Sequence, residues 1–502
     1  MPESFLDSLL INISIVFLVS STILVIYSFN FEERYVLKLD CPARKKSKGT
    51  INIGKITHEN KSKYNFYLKI EDLEQHMFVC GATGTGKSNF LQNFLLHFVK
   101  KHDIPFLITE FKGEYQFLQE KIKDLVILKP GENFSINIFD PENSNPEVHA
   151  ERVFQIFESG GLLEGIEYSP QMERTFVDIL NKVCPVPENR NWERFFELSE
   201  KYYKATKDIT FLKSVVAVQN RIRRYGLGTL KDIFVKKSGI NAKDLFEHNV
   251  LLDLSSIIRL GGEKEDALFF LNMILKYLWD KNIEFGSKNY KSIKHITIIE
   301  DAQYFAPEEL SSRTKLTSYI EDIALLLRGT GECLISLATR PKISKEILAN
   351  CGVLVSFQNH MQKDLMQELL NLKDWQKEYL SMLKKGECIV RVNSIEKPFI
   401  LQTEYVERSW LSDDEIMENN QKIIESKINT LENKITKELE VIESNINKKF
   451  CKFCYEEIKD NSEYCEICSQ AIEEAEHEER ERKQFKELKL LVNELYEKQS
   501  KK

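Results

Sequence analysis

Positive charge is in short supply in this chain: 70 Lys and Arg are outnumbered by 77 Asp and Glu, for a formal net charge of -7 over 502 residues. Residues 411–502 alone account for that excess, so the first 410 residues are close to neutral and no global basic field points to a polyanion. There is no cysteine framework of the secreted kind. Of the ten cysteines, Cys41, Cys80, Cys184, Cys333, Cys351 and Cys388 are scattered, mostly inside apolar runs, a pattern that suits a reducing cytosol. The N-terminal apolar stretch lacks a basic lead-in and follows Glu3 and Asp7, which argues against a cleaved signal peptide. Apolar residues are not scarce. At 42% hydrophobic the chain is not disordered, and its length allows two or three domains.

The most specific stretch present is Gly81-Ala82-Thr83-Gly84-Thr85-Gly86-Lys87-Ser88, which fits the phosphate-binding pattern G-x-x-x-x-G-K-[ST] at every fixed position. Met77 to Cys80 before it reads as a short buried strand, and Asn89 to Lys100 after it as a helix with apolar positions in register. Glycines let successive N–H groups curl toward a phosphate, and the helix N-terminus adds its positive dipole end. Lys87 would reach the β- and γ-phosphates of ATP, and the Ser88 hydroxyl would hold Mg²⁺.

Taken in order, the chain opens with 24 consecutive uncharged positions from Ser8 to Phe31, enough for one transmembrane helix within an anchor over residues 1–34. Arg34, Lys38 and the basic cluster Arg44 to Lys48 lie on its far side, so the expected arrangement is a single-pass cell-membrane protein with its bulk in the cytoplasm. Short strands at Thr50 to Gly54 and Tyr64 to Ile70 lead into the phosphate loop. Further apolar strands follow at Pro105 to Thr109, Leu125 to Leu128, Val250 to Leu254, Ile296 to Ile299 and Cys333 to Ala338. Alternation with helices predicts an α/β fold with a parallel sheet, interrupted by a helical insertion at about 145–241.

Polar residues at the strand ends carry the chemistry. Glu300 and Asp301 follow Ile299. Glu300 is assigned to the Mg²⁺ shell and Asp301 to activating the attacking water, an acidic order reversed from the usual Asp then Glu. Thr339 ends the last strand as a γ-phosphate sensor, and Arg328, on the Arg328-Gly329-Thr330-Gly331 loop, suits a phosphate in a neighbouring subunit. As singletons, both also fit purely structural roles.

The tail changes character. Ile424, Ile428, Leu431, Ile435, Leu439, Ile442 and Ile446 recur at steps of four and three, which predicts a coiled coil within residues 411–450. Cys451, Cys454, Cys465 and Cys468 then form C-x₂-C, ten residues, C-x₂-C, which can close a tetrahedron on a structural Zn²⁺ across residues 451–468. A charged helix over 469–502 completes the chain.

The order of these pieces over residues 50 to 405 resembles the HerA and FtsK group of P-loop ATPases, HerA most closely. The resemblance rests on the loop at 81–88 and on Glu110-Phe111-Lys112-Gly113-Glu114-Tyr115. It rests also on Pro130 to Asn133 with Asn137 to Pro141, on Asp253-Leu254-Ser255, on Glu300-Asp301-Ala302 and on Arg340-Pro341. It implies a RecA-like ATPase domain over residues 35–410, with Glu110 at the nucleotide site and a homohexameric ring that hydrolyses ATP to move double-stranded DNA. The relatives in type IV secretion imply an alternative, an ATPase energising a secretion or conjugation complex. An ATP-binding scaffold with little turnover is a third reading. A nuclease or a secretion channel is the corresponding partner. Gln303 stands where the group often has His, Thr339 where Gln usually precedes Arg-Pro, and the span at 8–31 replaces most of an N-terminal barrel.

Overall fold

The computed structural model describes residues 12–23, 36–142, 144–159, 170–205, 207–235, 242–286, 292–308, 318–426, 449–458 and 462–499. Two compact units divide the chain, Met1–Asn420 and Gln421–Lys502.

The first unit is built on an eleven-stranded sheet in the order β2-β1-β11-β10-β9-β3-β8-β7-β4-β6-β5. In chain order the strands are β1 (Ile51–His58), β2 (Lys61–Leu68), β3 (His76–Cys80), β4 (Phe106–Glu110), β5 (Leu125–Leu128) and β6 (Asn249–Asp253). β7 (His295–Ile299), β8 (Glu332–Ala338), β9 (Cys351–Ser356), β10 (Glu387–Val392) and β11 (Phe399–Gln402) follow. From β9 to β5 the neighbours pair in parallel, and from β9 outward through β10, β11, β1 and β2 they pair antiparallel. The sheet is therefore mixed. The expected parallel sheet is extended on one flank, where the two early strands and the two last ones pair antiparallel.

β3, β4, β5, β7, β8 and β9 are buried at every position, as strands covered on both faces must be. That is why they read as continuous apolar runs without alternation. All parallel strands point the same way, so Cys80, Glu110, Asp253, Ile299 and Ala338 end at one edge of the sheet.

Between β5 and β6 lie helices at Pro146–Ser159, Pro170–Val183, Trp192–Ala205 and Ile209–Gly226. Their core is aromatic: Phe139 packs edge-on to Trp192 at 4.9 Å, and Phe157 meets Phe269 at 4.6 Å. The Asn137-to-Asp140 segment anchors this layer. Asn137 donates to the carbonyl of Arg190 at 2.7 Å and Asp140 pairs with Arg190 at 3.0 Å. Arg224 and Tyr225, at the end of the last of these helices, both bind the buried Asp266, so this basic helix end is tied into the fold.

The unit runs to Asn420, beyond the expected limit at 410. Leu411 and Ile416 join the main core, and the Asn420 amide bonds the main chain of Ile127 in β5 and the side chain of Gln119.

The expected membrane span is overturned. Among the described residues no helix is long and apolar enough to cross a membrane. Residues 12–23 are helical. The rest of that stretch lies outside the described residues, as do residues 427–448, where most of the expected coiled coil falls.

In the second unit, β12 (Lys449–Phe450) and β13 (Glu457–Ile458) pair as a small hairpin. A helix runs from Glu466 to Gln499.

Candidate active site

The loop from Gly81 to Ser88 connects β3 to helix α1 (Lys87–Phe98). Gly81, Gly84 and Gly86 have φ of 155°, 80° and 126°, conformations that side chains rarely adopt. At Gly81 space forbids a side chain as well, since a Cβ would sit 2.5 Å from the Cβ of Phe357. Neighbouring segments pin the loop: Ala82 N–H donates to Gln358 O at 2.8 Å, and Gly386 N–H donates to Thr85 O at 2.9 Å. Lys87 folds back so that its Nζ donates to the carbonyls of Gly81 at 2.7 Å and Ala82 at 3.1 Å. Burial pulls its pKa down from the ordinary lysine value.

β7 lies one strand beyond β8 from β3 and delivers Glu300 opposite the loop. Glu300 Oε1 accepts from Ser88 Oγ at 3.1 Å and from the Tyr115 hydroxyl at 3.0 Å. Glu300 Oε2 is buried with no partner. Desolvation by burial raises the carboxyl to about 7, with the Lys112 charge opposing. A carboxylate with one oxygen on a serine hydroxyl and the other unpartnered, lining the phosphate-loop cleft, has the donor chemistry for a hard oxygen-ligated cation such as Mg²⁺.

Asp301 adopts a left-handed φ of 52°. Its Oδ2 receives Lys112 Nζ and its Oδ1 accepts from Gln303 Nε2 at 3.1 Å. Gln303 Oε1 in turn accepts the Thr339 N–H at 3.2 Å, so the ends of β4, β7 and β8 are linked by one polar chain.

The loop, Lys112, both acids and Thr339 line a cleft of about 560 Å³. Thr83, Gly84, Gly86, Lys87 and Ser88 form its floor, with Lys112, Glu300, Asp301 and Thr339 at one end. Five expected site residues stand elsewhere. Gly81, Ala82 and Thr85 shape the loop from beneath. Glu110 is fully buried at the end of β4, bonded to the main chain of its own turn. Arg328 precedes β8, at the opposite edge of the sheet, where its Nε donates to Glu74 O at 3.1 Å.

The opposite wall was not foreseen from the sequence. Lys385 and Gly386 precede β10, and Gln402, Thr403 and Tyr405 end β11 or follow it; all line the cleft. The Asn89 side chain in α1 clamps this segment by donating to Glu404 O at 2.7 Å and accepting from Val406 N at 2.8 Å. No local pattern marks these residues, because they become neighbours of the loop only when the antiparallel flank pairs. Lys112 and Tyr115 sat in a quoted motif, but their contacts depend on side-chain direction.

A glycine loop between a buried strand and a helix, faced by acidic residues at a second strand end, defines a P-loop ATPase, and the chain is an ATP-hydrolysing enzyme of that class. Among protein families, the model of the central domain of helicase HerA matches residues 51–299. The DNA double-strand break repair helicase HerA of Sulfurisphaera tokodaii is 25% identical over 376 residues, covering 72% of this chain and 70% of that one. Its counterpart from Sulfolobus acidocaldarius is 26% identical over 382 residues, with coverages of 72% and 70%. Among solved structures, VirB4 of Thermoanaerobacter pseudethanolicus superposes with a TM-score of 0.57 at 14% identity, covering 74% of this chain and 98% of that one. The plasmid coupling protein TrwB in complex with ADP and Mg²⁺ gives 0.52 at 13% identity, with coverages of 74% and 94%. At such identities the structural likeness is one of fold.

The second unit holds a separate cluster. The sulfurs of Cys451, Cys454, Cys465 and Cys468 all lie within 4.8 Å of one another. The β12–β13 hairpin carries the first pair on its turn, where Cys451 N–H donates to Glu456 O at 2.8 Å and Tyr455 takes a φ of 60°. The second pair sits at the start of the long helix.

Proposed function

We propose that this chain is a Mg²⁺-dependent ATPase that works as a hexameric ring translocating double-stranded DNA, in the manner of the HerA helicases it resembles. The observation that carries the reading is Glu300 in the phosphate-loop cleft, with one carboxylate oxygen on the Ser88 hydroxyl and the other unpartnered. In this reading Lys87 binds the β- and γ-phosphates, Ser88 and Glu300 hold Mg²⁺, and Asp301 orients the attacking water. Bound Mg²⁺ neutralises charge developing on the phosphates. Thr339, tied through Gln303 to Asp301, reports the γ-phosphate to that residue.

In this reading Arg328, which lies away from its own cleft, serves the site of a neighbouring subunit. DNA is supported by the sequence-level match to HerA, whereas the likeness to VirB4 and TrwB extends only to fold. Hydrolysis by the full chain, measured with and without double-stranded DNA, tests the reading. Stimulation by DNA supports translocation. Robust hydrolysis indifferent to DNA favours coupling to a secretion or conjugation complex, and absence of hydrolysis favours a scaffold.

The four cysteines are proposed to hold one structural Zn²⁺. Their mutual proximity fits Zn–S bonds of about 2.3 Å from a central ion. With four protein ligands there is no open position for chemistry.

A further inference from the structure

The Gly113-Glu114-Tyr115 segment has no part in binding phosphate, yet it reaches the site. Glu110 Oε2 accepts the main-chain N–H groups of Glu114 at 2.7 Å and Tyr115 at 3.3 Å, closing a turn at the end of β4. Gly113 takes a φ of 67° within that turn, where a side chain would be strained. The turn is braced on two sides. Gln92 of α1 donates to Glu114 O at 2.8 Å, and Leu254 N–H donates to Glu110 O at 2.9 Å. Its product is the placement of Tyr115, whose ring is fully buried in the main core and whose hydroxyl donates to Glu300 Oε1.

Two donors, Tyr115 and Ser88, converge on one oxygen of Glu300 and leave the other bare. A carboxylate held in this way has lost its freedom to rotate, so its bare oxygen has a fixed aim. We infer that Tyr115 is a positioning residue: it holds Glu300 by Oε1 so that Oε2 is presented to the magnesium of bound nucleotide, and Glu110 is the buried clasp that aims Tyr115. The inference rests on the reading of Glu300 as the metal-holding acid. It gives the Glu110-to-Tyr115 motif a physical purpose. The same turn carries Lys112 to Asp301, so one short segment delivers a donor to each of the two adjacent acids.

The test uses the full chain and a fluorescent ATP analogue, with affinity measured in Mg²⁺ and in EDTA. Tyr115→Phe deletes only the hydroxyl. It is expected to bind the analogue in EDTA as the wild type does and to lose about tenfold or more of the affinity gained on adding Mg²⁺, the usual cost of removing a partner of a metal ligand. Glu300→Gln is expected to lose that gain too, and the double variant is expected to be no worse than Glu300→Gln alone. Full retention of the Mg²⁺ gain by Tyr115→Phe, with loss in Glu300→Gln, overturns the positioning role and leaves the reading of Glu300 standing. Equal weakening with and without Mg²⁺ also overturns it, since that is the mark of a packing residue. Full retention by Glu300→Gln sinks the reading of Glu300 and the inference together. If Tyr115→Phe does not fold, Glu110→Ala against Glu110→Gln answers the same question. Gln keeps an acceptor for both N–H groups and is expected to preserve the gain that Ala loses, and equal gains in the two overturn the clasp.

Discussion

Lys112 Nζ lies 2.8 Å from Asp301 Oδ2, joining the turn after β4 to the acidic end of β7. Lys112 is about half exposed, so the pair contributes at most about 1 kcal/mol to stability. Its interest is positional. With Gln303 on the other oxygen, Asp301 is held from both sides while facing the cleft. Asp301→Asn is therefore expected to keep nucleotide affinity and to slow turnover by about 100-fold or more, the scale of a lost general base. Dissociation constant and kcat on the same preparation decide the matter. A normal kcat would assign the water to another group.

Arg328 and Lys87 sit at opposite edges of the sheet, one before β8 and one after β3. If Arg328 completes a neighbour's site, Arg328→Ala and Lys87→Ala proteins should each be inactive alone and recover part of the activity when mixed. Recovery comes from interfaces where an intact loop meets an intact arginine. Mixed rings shown to exchange subunits but still inactive would count against a role across the interface.

The cysteine cluster belongs to the second unit, whereas the whole cleft belongs to the first. Cys451→Ser combined with Cys454→Ser should abolish bound zinc and leave basal ATPase at the wild-type rate. Metal analysis and hydrolysis are measured on the same sample. Loss of both together would tie the knuckle to the catalytic unit.

Burial, reinforced by the charges of Asp253 and Glu300, raises the Glu110 carboxyl well above its ordinary range. The folded state thus prefers the protonated form. Stability from this group is present below the unfolded-state value of about 4.3 and is lost as pH rises through the folded value. Glu110→Gln does not titrate. Its stability relative to wild type should rise above pH 4.5 by about 1.4 kcal/mol per unit, until the folded carboxyl ionises. Parallel melting curves against pH for the two proteins would mean that Glu110 is ionised at no cost.

The phosphate loop was legible because the motif carries its own context: four fixed positions within eight residues, a buried strand before and a helix after. The strands from β3 to β8 were legible as apolar runs for the same local reason, whereas β9 was not read from the sequence. Their neighbours were not. A strand buried on both faces, such as Leu125–Leu128, has no alternation to say which strand lies beside it. Hydropathy led to a membrane span at residues 8–31, whereas no helix among the described residues is long and apolar enough to cross a membrane.

The chemistry expected of single positions was therefore read locally: Lys87 and Ser88 from their glycines, Glu300 from the strand before it, the four cysteines from their spacing. What needed the folded chain was every relation between distant segments. Tyr115 meets Glu300 only because β4 and β7 pair in parallel with their ends aligned. Gly386 meets Thr85 only because β10 and β11 extend the sheet antiparallel beyond β9. A residue's type and near neighbours decide what it can do, but the register of strands far apart in sequence decides what it faces, and register is a property of packing.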